Sequence, residues 1–223
     1  MKFLHLDNKE EGAEILAEKI RGCLEQTKKV LWLLSGGSNI SGAVGVLNIL
    51  KDNYKYLPLK DNLAVILMDE RFGPVGHPDS NWQQLSKAGF DMEKVIVAPV
   101  LHNLSLEETV NKFENNYKKL ALWADVIIGQ FGLGSDGHTA GVLPGTVGVT
   151  SIDTVCAYES DKYTRITLTL NTIMDIDIAY IFAFGESKKE IVFAIKAEDI
   201  PIAEIPAQAL KQIPESYLYS DQI

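Results

Sequence analysis

One histidine of this chain stands among glycines, in Gly132-Leu133-Gly134-Ser135-Asp136-Gly137-His138-Thr139-Ala140, running on to Pro144-Gly145. The apolar run before it, residues 124–130, predicts a buried strand, and the glycines make the next stretch a loop. Glycines admit a ligand close to backbone amides. Imidazole is the side chain whose ordinary titration lies near neutrality, so His138 is the candidate base. Asp136 would orient it or meet a substrate hydroxyl.

The same letters spell G-x-G-x-x-G. A dinucleotide fingerprint needs its third glycine to open a long helix. Here Gly141, Pro144 and Gly145 come within eight residues of Gly137, which excludes an ordinary helix.

Three other loops carry more polar function than a turn requires. Ser35-Gly36-Gly37-Ser38 enters a predicted helix, where free amides and the positive end of a helix dipole suit phosphate. A plain helix cap at Ser38 explains the same residues equally, and the Gly-Lys-Ser/Thr ending of a Walker loop is missing. Asp69-Glu70-Arg71 sits where an apolar strand meets solvent, either as an exposed ion-paired loop or with Arg71 as a fixed cation facing a substrate oxygen. His77 and Asp79-Ser80-Asn81 would line the rim or cap the next helix. Lys188 falls in the first turn of a predicted helix, where a cation opposes the macrodipole by about 0.3–1 kcal/mol. A nearby anion relieves that. Arg165 opens a strand, free to face solvent or to join Lys188 and residues 35–38 around a phosphate.

These residues need a frame. Strands are expected over residues 1–6, 29–34, 63–68, 94–98, 124–130, 155–158, 165–170, 177–184 and 216–220. Helices are expected over 10–25, 39–50, 79–89, from Ser105 (a capping box with Glu108) through Leu120, and over 186–196 and 206–212. Such alternation predicts an α/β domain spanning residues 1–223: a three-layer αβα, Rossmann-like arrangement with a mainly parallel sheet and helices on both faces. The alternating segment at Arg165 is expected as an antiparallel or edge addition. Parallel strands point one way, so the four loops converge on one sheet edge.

A net charge of −9 excludes nonspecific binding to nucleic acid or anionic membrane, and makes any anionic substrate depend on a local basic pocket. Cys23 and Cys156 are expected as buried thiols, and the two cysteines and four histidines have no metal-ligand spacing. Neither a leader pattern nor a run of membrane-spanning length is present, so the chain is expected in the cytoplasm, as a monomer or small homo-oligomer.

With these residues assembled, the chain resembles the 6-phosphogluconolactonases, within the group that includes glucosamine-6-phosphate deaminases and isomerases. The resemblance rests on the 35–38 turn, Asp69-Glu70-Arg71 with Asp79-Ser80-Asn81, the Asp136-Gly137-His138 block with Pro144-Gly145, residues 165–170, Gly185-Glu186-Ser187-Lys188 and Ile205-Pro206-Ala207. It implies hydrolysis of a small sugar-phosphate lactone, 6-phosphogluconolactone, without metal or cofactor. His138 would then activate water, and Arg71 would hold substrate or offset the oxyanion, with Asp136 beside them. Asp69 would belong to the substrate site, and Arg165, Lys188 and the amides of Ser35, Gly36, Gly37 and Ser38 would take the phosphate.

The deaminases carry an aromatic residue where Arg71 stands and a glutamate where Leu143 stands, so the lactone reaction is favoured over amino-sugar isomerisation. A sensor that has lost its chemistry would need only Arg165 and Lys188. Two departures alter the pocket wall: Asn39-Ile40 replaces the usual Thr-Pro after the serine turn, and Gly141-Val142-Leu143 replaces Ser-Leu-Phe before Pro144.

Overall fold

The computed structural model describes residues 1–160 and 162–223. Its order is β1 (Lys2–His5), α1 (Lys9–Glu25), β2 (Val30–Leu34), α2 (Ile40–Asn53), α3 (Leu59–Asn62), β3 (Leu63–Leu67), β4 (Asp69–Arg71), α4 (Asn81–Lys87) and β5 (Ile96–Val97). Then come α5 (Leu106–Trp123), β6 (Val126–Gly132), α6 (Val147–Thr150), β7 (Val155–Glu159), β8 (Thr164–Leu168), α7 (Leu170–Met174), β9 (Ile178–Phe182), α8 (Lys189–Ala197) and β10 (Glu215–Ser220).

Seven strands form a parallel sheet in the order β1-β10-β9-β6-β2-β3-β5. Every residue of β2, β3 and β9 is buried, which is why these strands read as unbroken apolar runs: both faces of the sheet are covered. From β2 the chain winds outward to β3 and β5, then returns to place β6 on the other side of β2. The strand order therefore reverses between β2 and β6. Open α/β sheets bind ligands at that crevice, beyond the carboxyl ends of the strands. The 35–38 turn lies directly after β2, and the Gly-rich histidine loop directly after β6.

A second sheet, β4-β8-β7, is antiparallel, as expected for the segment at Arg165. Residues 69–71 differ from expectation by forming a strand of this sheet rather than a loop. The expected strand over 165–170 stops at Leu168, because Thr169 caps α7 by accepting from the Thr172 amide. The capping box at Ser105 is present and starts α5.

Glu70 explains why three charged residues make a strand here. Its carboxylate is wholly buried, yet accepts from the amides of Arg71 (2.7 Å), Asn81 (2.7 Å) and Trp82 (3.1 Å) and from the Ser80 hydroxyl (2.9 Å). Burial pushes this carboxyl up from its ordinary range, and the four donors oppose the push. Glu70 thus staples the 71–80 loop to β4. Glu70→Gln turns an acceptor oxygen into a donor facing a donor, so we expect a loss of about 2–4 kcal/mol, read by urea unfolding.

Cys23 and Cys156 are free and buried. Among the described residues no helix is long and apolar enough to cross a membrane, and no group of three or more His, Cys, Asp or Glu is arranged to hold a metal ion.

Candidate active site

The loop after β6 is braced from below. The Ala207 amide donates to Gly137 O (3.0 Å), and the Gly145 amide to Ala203 O (3.0 Å). Within the loop the His138 ring meets Asp136, with Nδ1 2.6 Å from Oδ1. An ionised carboxylate only accepts, so Nδ1 carries the proton and Nε2 keeps its lone pair in the neutral ring. Burial works to raise the Asp136 pKa, but the His138 amide, charge and ring N–H outweigh it and hold the carboxyl below its ordinary range. Asp136 therefore stays an acceptor at neutral pH.

Gly134 makes this pairing possible, because a Cβ there would run into His138 Nδ1 and Asp136 Oδ1. Gly134→Ala is expected to lower kcat about 10²-fold by displacing the imidazole, with little change in thermal unfolding. Wild-type turnover would show that the ring's position is not set here.

The opposite wall comes from the small sheet. Antiparallel register sets Arg71 across from Arg165 and Asp69 across from Thr167. Side chains alternate along a strand, so these four share one face while Glu70 and Ile166 share the other. The Arg71 Nη1 donates to Asp79 O (2.7 Å), Arg165 Nη1 lies 3.7 Å from Asp69 Oδ2, and Arg165 Nε donates to Ser160 Oγ (3.3 Å). Asp69 is only 4% exposed and forms the floor.

A cleft of about 160 Å³ opens between these walls. His138, Arg71, Arg165, Asp69, Lys188 and all of residues 35–38 line it. Asp136 does not reach the cleft lining and stands behind the imidazole. Lys188 ends a 3-10 turn (Glu186–Lys188) and directly precedes α8; it has no carboxylate partner among the described residues. Ser35 is engaged by the fold: its hydroxyl donates to Gln130 O (3.1 Å) and accepts from Asn39 Nδ2 (3.0 Å) and the Gly132 amide (3.1 Å). That leaves the amides of Gly36, Gly37 and Ser38, which have no protein acceptor among the described residues. Ser38 does not cap α2, which starts after Asn39 without a side-chain cap.

His77 takes no part in the cleft; its Nε2 donates to Arg71 O (2.9 Å). Ser80 is the cap of α4 and a Glu70 donor. Asn81, wholly buried, donates from Nδ2 to Asp69 O (3.0 Å) and presses on Gly36, where a Cβ would collide with it.

A family model described as glucosamine-6-phosphate isomerases/6-phosphogluconolactonase matches residues 7–218. The chain belongs to this family. A 6-phosphogluconolactonase of Synechocystis sp. is 28% identical over 176 residues, covering 73% of this chain and 72% of the relative. A 6-phosphogluconolactonase crystal structure from Shewanella baltica superposes with a TM-score of 0.80 at 19% identity, covering 99% of this chain and 97% of that one. The structure of a monomeric glucosamine-6-phosphate deaminase does so equally, with a TM-score of 0.80 at 19% identity, covering 100% and 98%. The fold is common to both activities, so the choice between them falls to the site residues.

Sequence reasoning missed Tyr163, and gave no separate part to Thr167 and Ala140 within the motifs that contain them. Tyr163 packs beside both cleft arginines. The Thr167 hydroxyl lies 2.6 Å from Ala140 O and 3.3 Å from Met68 O, where the two sheets meet. Ala140 itself has φ of 49°, a left-handed conformation that costs energy for a residue with a side chain. Its place two residues after His138 was the signal available in the sequence.

Proposed function

We propose that this chain hydrolyses 6-phospho-D-glucono-1,5-lactone to 6-phospho-D-gluconate, a step of the oxidative pentose phosphate pathway. The observation that carries the reading is the pairing of His138 with Asp136 in a small cleft that Arg71, Arg165 and Lys188 also line. One side holds a base with a free Nε2. The small sheet adds Arg71 and Arg165 and the loop after β9 adds Lys188, three cations that suit a dianionic phosphate and a developing oxyanion.

In this mechanism Nε2 takes a proton from water as its oxygen adds to the lactone C1. The carbonyl electrons move onto oxygen, and Arg71 balances that charge. When the tetrahedral centre collapses, the C1–O5 bond breaks and the imidazolium returns the proton to O5. The new carboxylic acid then ionises. Asp136 stabilises the imidazolium in between. Arg165, Lys188 and the amides of Gly36, Gly37 and Ser38 hold the phosphate.

Leu143 favours this reaction over deamination. An isomerase must shuttle protons between carbons and open a ring, and a leucine at that position offers no group for it. The reading takes residues 1–223 as one domain acting in the cytoplasm on a small molecule, as a monomer or small homo-oligomer. Coupled assays on freshly generated lactone and on glucosamine 6-phosphate test it. Turnover of the amino sugar with none of the lactone would overturn it.

A further inference from the structure

Arg71 and Arg165 stand directly opposite each other on β4 and β8. Like charges in that position repel across an antiparallel pair. Asp69 reaches only Arg165, at 3.7 Å, and Arg71 has no carboxylate partner among the described residues. A neighbour common to both is Tyr163. Its ring centroid lies 5.5 Å from Arg71 Cζ and 5.9 Å from Arg165 Cζ. Both distances fall within the reach at which an aromatic face attracts a guanidinium.

The ring is itself anchored. Its hydroxyl donates to Asp79 Oδ1 (3.3 Å), the residue whose carbonyl accepts from Arg71. Its backbone is tied to Ser160, whose amide (2.8 Å) and hydroxyl (2.9 Å) both donate to Tyr163 O. Ser160 also accepts from Arg165 Nε. Tyr163 does not line the cleft.

We propose that Tyr163 is a positioning residue for anion binding: its ring bridges the two guanidinium groups and holds them side by side, facing the cleft, before substrate arrives. The inference rests on the phosphate reading above. A ring that attracts both cations offsets part of their mutual repulsion in the empty site, and so less of the binding energy of the anion goes into gathering them. The attraction needs the π face, whereas the hydroxyl contributes only aim.

The test uses the full chain, with inorganic phosphate and 6-phosphogluconate as calorimetric probes and the lactone as substrate. Tyr163→Leu, which keeps apolar bulk without a π face, is expected to weaken phosphate and 6-phosphogluconate binding about tenfold, with KM rising in parallel. Tyr163→Phe and Tyr163→Trp keep the ring and are expected within about twofold of wild type. Wild-type affinity in Tyr163→Leu overturns the proposal, and so does a Tyr163→Phe as weak as Tyr163→Leu, which would assign the effect to the hydroxyl. Should Tyr163→Leu unfold, the Phe and Trp variants still decide, because weakened binding in both contradicts a role for the ring. Failure of the wild-type protein to bind either anion overturns the phosphate reading itself, a result distinct from the others.

Discussion

His138→Ala is expected to lower kcat for lactone hydrolysis by about 10³-fold, while the affinity for 6-phosphogluconate stays near that of the wild-type protein. The split arises from where the imidazole acts. Its Nδ1 is committed to Asp136, and in the proposed mechanism Nε2 acts on water, so its contribution comes in the transition state rather than in holding product. Removing it leaves the cations across the cleft untouched. The measurement is a progress curve on fresh lactone, corrected for spontaneous opening, beside product titration by calorimetry. A kcat close to wild type would remove His138 from the reaction.

Lys188→Ala gives the complementary result. Its ammonium lines the cleft and pairs with no carboxylate among the described residues, so removing it orphans nothing in the fold. A charge-assisted hydrogen bond is lost only when the anion is present. KM for the phosphorylated lactone is expected to rise about 30–100-fold, with kcat changed much less. The same variant acting on non-phosphorylated gluconolactone should match wild type. Equal losses on both substrates would contradict a phosphate contact at this position.

How far the sequence could lead is plain from particular segments. Residues 63–68 and 177–184 read as strands because both sheet faces are covered and no polar residue interrupts the run. The strand expected over 94–98 is confined to Ile96–Val97 at the sheet edge, where it pairs with one neighbour only. Residues 69–71 were unreadable as a strand because their stability depends on donors supplied by residues 71–82, a closure that local pattern does not record. The cleft residues were legible for a different reason. Residues 35–38, His138 and Lys188 follow parallel strands at their carboxyl ends, which the sheet brings together, whereas Arg165 opens the antiparallel β8 and was marked only by its charge. Tyr163 had no such mark. It precedes a strand instead of succeeding one, and its meaning depends on the cross-strand register of two arginines remote in sequence.

Met68 alone separates β3 from β4, and with it the layer that carries the imidazole's neighbours from the layer that carries the guanidinium pair. The flank that carries Arg165 is consequently adjustable apart from the loop that carries the imidazole. Changing the register or length of β7 and β8 would shift Arg165 at the cleft and leave the His138–Asp136 pair on the other sheet undisturbed.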